Sequence, residues 1–201
     1  RLYARAKNND SSSSLDDRMK RLLLKRARVV KHARAKIPLA VRVFEDNFER
    51  GQRWIVYCEN LDQLATVRSA LAEAGFPSME FHSQMEGDRA QTLKWLDRRG
   101  GVVVAIKCLD EGVDVPSVTH ALILASSKNP REFIQRRGRV LRRHEGKALA
   151  YVHDAIVVPP RVEGDHEQRR TDPIILGELA RALEFAEHAD NPSAAADLQA
   201  A

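Results

Sequence analysis

Residues 135–143, Gln-Arg-Arg-Gly-Arg-Val-Leu-Arg-Arg, carry the densest potential chemistry in this chain of 201 residues. Read as a helix, Gln135, Arg139 and Arg142 fall at i, i+4 and i+7 and form one polar stripe. Phe133, Ile134, Val140 and Leu141 form an apolar arc on the other side, suited to packing on a core. One face is then buried, and the other presents two guanidiniums and an amide. Gly138 costs a helix interior roughly 1 kcal/mol relative to Ala, and it lets another backbone or a ligand come close. Planar, permanently charged guanidiniums suit phosphate, and an arginine finger on a transferring phosphoryl group needs this chemistry. The plainer alternative is a basic, solvated helix face. The spacing Gln-x-x-Gly-Arg-x-x-Arg, together with the loop upstream of it, favours phosphate.

That loop is Ala105-Ile-Lys-Cys-Leu-Asp-Glu-Gly-Val-Asp-Val-Pro116. It follows the most β-branched strand of the sequence and places Lys107, Asp110, Glu111 and Asp114 at that strand's carboxyl end. Gly112 allows a tight loop, and Pro116 stops it before the next strand. Taken singly, each acid reads as a solvated loop residue. Adjacent acids such as Asp110 and Glu111 rarely converge on one bond, so a paired-carboxylate acid/base site is set aside.

The elements that must position these residues alternate strictly. A helix is expected from Leu15, with Asp16 and Asp17 in its first turn, and it is rich in Arg and Lys through Lys36. Pro38 marks a break or a new start. Residues 39–50 read as an amphipathic helix with Leu39, Val43 and Phe44 inward, closed by Gly51. Strands are expected at Trp54–Cys58, Ser78–His82, Val102–Ile106, His120–Ala125 and Ala148–His153. Helices are expected at Asn60–Ala74, Gly87–Arg99 (with Leu93 and Leu96 inward) and Arg131–Arg143. Such alternation implies an α/β domain, a parallel sheet with helices on both faces, and ligands beyond the carboxyl ends of the strands. A last helix over 172–189 carries Leu176, Leu179, Ala180, Leu183 and Ala186 on one stripe. Three regions result: a linker and basic helix over 1–36, the α/β domain over 37–158, and a linker, helix and frayed tail over 159–201.

The formal net charge is +5, with 33 Lys and Arg against 28 Asp and Glu. Residues 1–36 carry a balance of +9 and the remainder −4, so only the leader is biased towards a polyanion. No apolar run approaches the roughly 20 residues that span a bilayer. No secretory signal pattern stands at the N-terminus. Cys58 and Cys108 make neither a disulfide framework nor metal spacing, so free buried thiols and a cytoplasmic location are expected. The first residue is Arg, which suggests a fragment of a longer polypeptide.

Glu111-Gly112-Val113-Asp114-Val115-Pro116 followed by Gln135–Arg142 resembles motifs V and VI of superfamily 2 helicases. The Trp54–Cys58 strand resembles their motif IV, and Phe81-His82-Ser83 followed by Arg89 resembles the next segment. The match covers roughly residues 37–155 in order. It identifies the second, C-terminal RecA-like domain of the motor, flanked here by N- and C-terminal helices. The Arg-Val-Leu-Arg ending is similar to that of excision-repair translocases and restriction-enzyme motor subunits rather than DEAD-box proteins.

The resemblance implies roles by position. Arg142 would be the arginine finger on the ATP γ-phosphate, supported by Arg139. Gln135, Gly112 and Asp114 would line the same nucleotide cleft. Tyr57, Glu59, His82, Ser83 and Lys107 would lie near the track of a nucleic-acid strand, DNA favoured over RNA. No Gly-x-x-x-x-Gly-Lys-Ser/Thr loop and no Asp-Glu-x-His or Asp-Glu-x-Asp box occurs in the chain. ATP and Mg2+ would therefore be held mainly by a first RecA-like domain elsewhere in the same longer polypeptide, and this part alone is not expected to hydrolyse ATP. The Lys107-Cys108-Leu109 stretch departs from relatives that carry Thr or Ser near the strand end, so a point charge stands where a hydroxyl is usual. The rival reading is a non-catalytic nucleic-acid-binding or regulatory module that kept the fold. Lone His82 reads as structural or phosphate-adjacent, and Trp54 and Trp95 as packing residues. The basic helix over 18–36 reads equally as a solvated face or a nucleic-acid contact. The last helix reads as a packing element.

Overall fold

The computed structural model describes residues 17, 18, 21, 22, 25, 28–106, 117–125, 147–157, 173–187 and 189–191. Within them lie five strands, β1 (Arg53–Cys58), β2 (Ser78–Phe81), β3 (Gly101–Ile106), β4 (His120–Ile123) and β5 (Tyr151–Asp154). Four helices have described bounds: α1 (Lys36–Asn47), α2 (Leu61–Glu73), α3 (Arg89–Arg99) and α4 (Pro173–Ala186). Residues 17, 18, 21, 22, 25 and 28–31 are also helical. The strands form one parallel sheet in the order β2-β3-β1-β4-β5.

The pleat sorts each strand between two cores. Trp54, Val56 and Cys58 of β1, with Val102 and Val104 of β3, pack against Ala40 and Phe44 of α1 and Leu64, Val67 and Leu71 of α2. Ile55 and Tyr57, with Val103 and Ala105, pack on the other face with Leu96, Leu93 and Trp95 of α3. Both faces of the sheet are thus covered, and for this reason β1 and β3 are apolar without alternation.

Local signals fix most ends. Asn60 caps α2, its side chain accepting from the Gln63 N–H at 2.9 Å, and Asp88 caps α3 by accepting from the Ala90 N–H at 2.8 Å. Gly100 and Gly101 turn α3 into β3 with φ of 70° and 118°. A Cβ at Gly100 would lie 2.8 Å from the Gln52 carbonyl oxygen, and one at Gly101 2.6 Å from the Trp95 ring. The pair is therefore required by close approach as well as by backbone conformation.

Three expectations are corrected. The helix expected over 39–50 starts at Lys36, with Pro38 inside its first turn, where a missing N–H costs nothing. It ends at Asn47, four residues before Gly51, because Phe48 turns extended and folds its ring back onto Phe44. Its buried line is Lys36, Ala40 and Phe44, which leaves Leu39 exposed and Val43 partly buried. The last helix buries Glu178, Ala182 and Ala186, spaced at i, i+4 and i+8, while Leu176 is exposed. The final strand begins at Tyr151 instead of Ala148.

Candidate functional site

In a parallel sheet the carboxyl ends of all strands share one edge, and here three of them decide the site. Cys58 of β1 is in register with Ile106 of β3, and Tyr57 with Ile123 of β4. Beyond β4, the N–H groups of Leu124 and Ala125 both donate to the Tyr57 carbonyl. The ends of β3 and β4 therefore flank Glu59. Ile106 stands on one side of it and Ala125 on the other, the last described residues before 107–116 and 126–146. Gly112, Asp114, Lys107, Gln135, Arg139, Arg142 and the helix expected over Arg131–Arg143 lie outside the described residues, as does Cys108.

The described part of the edge is held by paired charges. Lys31 Nζ meets Glu59 Oε1 at 2.9 Å, each side chain 21% exposed. Gln63 ties the same corner twice. Its Oε1 accepts from the Glu59 N–H at 2.8 Å, and its Nε2 donates to the Lys31 carbonyl at 3.1 Å. Buried Lys36 donates through Nζ to the Leu124 carbonyl at the end of β4. On the β2 side, Arg68 Nη1 meets Glu80 Oε2 at 2.5 Å, and Arg68 Nη2 donates to the Ser78 carbonyl at 3.3 Å.

His82 is buried beside that pair. Its Nδ1 accepts from the Gln84 N–H at 3.2 Å, which leaves Nε2 to carry the proton, 3.8 Å from Glu80 Oε2. Ser83 follows in an exposed turn. Tyr57 is buried on the α3 side of the sheet. Arg89, at the start of α3, is exposed. Cys58 is a free thiol whose pKa burial pushes up to about 12, so it holds its proton and is no nucleophile at neutral pH.

Lys31, Lys36, Gln63 and Arg68 were not expected at this edge. Lys31 and Glu59 are 28 residues apart, and Lys36 and Leu124 are 88 apart. No local pattern announces such pairs. The one available signal is Gln63 in the first turn after its cap Asn60, a position from which a side chain reaches back over the helix start.

Among the described residues, no group of three or more His, Cys, Asp or Glu side chains is placed to hold a metal ion. The edge carboxylates Glu59 and Glu80 are already engaged by cations. No helix among the described residues is long and apolar enough to cross a membrane.

The helicase conserved C-terminal domain family matches residues 35–144, from the start of α1 through the whole arginine segment. The chain belongs to this family. UvrABC system protein B of Pseudothermotoga lettingae is 34% identical over 130 residues, covering 61% of this chain and 20% of the relative. A DNA 3'-5' translocase, XPB2, of Sulfurisphaera tokodaii is 43% identical over 56 residues, covering 28% of this chain and 13% of the relative. The chain thus spans no more than a fifth of the length of these two curated relatives. The solved C-terminal domain of the DEAD-box protein Dbp5 superposes with a TM-score of 0.55 at 14% identity, covering 77% of this chain and 80% of that one. At that identity the likeness concerns the fold: the helicase C-terminal domain has a RecA-like α/β architecture, the one its motif order implied.

Proposed function

We propose that this domain is the C-terminal half of an ATP-dependent nucleic-acid motor, a helicase or duplex translocase, and that it supplies arginine fingers to a nucleotide cleft shared with a first RecA-like domain. The observation that carries the reading is the adjacency of β3, β1 and β4. The two segments that hold Gly112 and Asp114, and Gln135, Arg139 and Arg142, start from neighbouring points on one sheet edge. That is the edge at which open α/β sheets bind ligands.

Arg142 would reach the γ-phosphate, Arg139 would support it, and Gln135, Gly112 and Asp114 would shape the cleft. A guanidinium stabilises charge on the equatorial oxygens of the transferred phosphoryl group, and holding it on a separate domain makes turnover depend on closure. ATP with Mg2+ supplies the scissile phosphoanhydride and the charge that these cations meet. The charge state of the described edge fits this division of labour. Glu59 and Glu80 are neutralised by Lys31 and Arg68, which leaves a poor set of magnesium ligands and a good frame for cations. Tyr57, Glu59, His82, Ser83 and Lys107 would border the nucleic-acid strand. In this role buried Tyr57 and His82 would shape the backbone around an exposed Ser83. The XPB2 relative favours DNA.

In the longer protein, Arg142→Ala is expected to lower the ATP turnover number by about 10³–10⁵ with nucleotide affinity largely kept. Steady-state ATPase and equilibrium nucleotide binding on the same preparation test this. Turnover within a few-fold of the parent would remove the arginine-finger assignment and leave the non-catalytic module as the better account.

A further inference from the structure

The leading helix carries a feature that the nucleotide cleft does not use. Arg18, Arg21, Lys25 and Arg28 are all exposed on it. At 100° per residue they fall within an arc of about 80°, and exposed His32, just past the helix, continues the line. Val30, on the opposite side of the helix, is buried. Lys31, to one side, makes the bond to Glu59, and its carbonyl accepts from Gln63. The buried Val30 and the Lys31 corner therefore fix the helix rotation, and the cationic arc faces solvent. Asp17 borders the arc at its first turn, and no further carboxylate occurs before Glu45, so four cations stand against one acid.

We infer that this arc is a docking surface for the phosphate backbone of duplex DNA, outside the nucleotide cleft and joined to it through Lys31–Glu59. Charge complementarity identifies a polyanion, and two observations select a duplex. Ten residues of α-helix rise about 15 Å, and over that length duplex DNA presents roughly nine phosphates, against about half as many on one strand. Residues 15–36 also contain no Phe, Tyr or Trp. Single-strand binders depend on aromatic side chains for stacking, whereas a row of cations alone reads a backbone. Leu22 and Val29 lie exposed on one flank of the arc, where they can border a groove without interrupting the row. The anchored end of the helix sits at the carboxyl end of β1, so the docked duplex would run on towards the edge where a strand track is expected.

The inference rests on the proposed nucleic-acid motor only in taking nucleic acid as the partner. Its test is fluorescence anisotropy of a labelled duplex of roughly two helical turns, titrated with the 201-residue chain between about 50 and 200 mM salt. The combined variant Arg18→Gln, Arg21→Gln, Lys25→Gln, Arg28→Gln is expected to bind at least about tenfold more weakly, with a salt slope reduced by roughly 3 to 4. Arg18→Lys, Arg21→Lys, Arg28→Lys should keep both. Removing four exposed cations elsewhere, by Arg50→Gln, Lys94→Gln, Arg98→Gln, Arg99→Gln, should change affinity by less than about threefold. Circular dichroism of each variant checks that its helix content is kept. A parent chain that does not bind duplex DNA would overturn the inference, as would an equal loss in the control variant. Equal affinity for single-stranded DNA or polyglutamate would do the same. If the arc variant binds normally while Arg142→Ala in the longer protein still abolishes ATPase, the docking surface falls and the motor reading stands.

Discussion

The two ends of the sheet are built on different physics. At the amino end, Trp54 stacks on His120 with ring centroids 4.5 Å apart and planes 16° from parallel, and His120 stacks in turn on Tyr151 at 4.7 Å and 11°. The three residues are cross-strand partners on β1, β4 and β5. Trp54 also packs on Phe44 and donates its indole N–H to Gln52 at 2.7 Å. Thr119 and Arg53 exchange hydrogen bonds in the same layer, and the Gly101 N–H donates to the Gln52 carbonyl. This end is a close-packed clamp. The carboxyl end is instead held by long polar side chains from distant parts of the chain, Lys31 to Glu59, Lys36 to Leu124 and Arg68 to Glu80. Buried rings lose their contacts steeply when displaced. Partly exposed ion pairs exchange with water at less cost. The proposed motor role would use both: a rigid frame, and an edge able to change partners.

Three measurements would sharpen or break this contrast. The largest effect should follow Trp54→Ala. It removes the ring on which Phe44, His120 and His153 all pack, and the expected loss is about 3–5 kcal/mol in urea unfolding. A loss below about 1 kcal/mol would mean that the amino end is not a clamp.

The second concerns acid. Burial, and then the neighbouring His153, push the His120 pKa from 6.5 down to about 4, and burial lowers His153 as well. A depressed histidine pKa means that the folded state prefers the neutral ring, so the unfolded chain binds more protons between the two values. Stability should therefore be fully present above about pH 6.5 and fall as pH drops towards 4, by roughly 1–2 kcal/mol for this group. His120→Phe keeps a ring in the stack and should flatten that part of the melting-temperature profile. An unchanged slope would place the titration elsewhere.

The smallest effect is expected at the carboxyl end. Glu59→Gln should cost at most about 1 kcal/mol and lose even that at high salt, because the pair with Lys31 is partly exposed. If it destabilised the domain as much as Trp54→Ala does, the two ends would not differ in kind.

The sequence was most legible where local physics decides. The apolar runs of β1 and β3, the starts of α2 and α3, and the Gly100-Gly101 turn all lie within about two residues of their expected places, since each depends on neighbours in the chain. It misled where a helix face was chosen by tertiary partners. Leu39 and Leu176 fit a periodic stripe but stay exposed, while Lys36 and Glu178 are buried. Lys36 illustrates the reason. A lysine goes inside only where a carbonyl such as that of Leu124 awaits it, and that partner is 88 residues away. Trp54 and Trp95 emerged as the packing residues their apolar surroundings implied.

By itself, then, the sequence determined the strand–helix alternation, the motif order from Trp54 to Arg142 and the family, because periodicity and motif spacing are written in neighbouring residues. Only the tertiary structure decided that β3, β1 and β4 stand side by side at the edge that launches both motif segments. It also decided that Lys31 binds Glu59 and turns a basic arc outward, and that Trp54, His120 and Tyr151 stack through three strands. Contacts between distant residues depend on strand order and register, which the burial of both sheet faces fixes only when the whole domain packs.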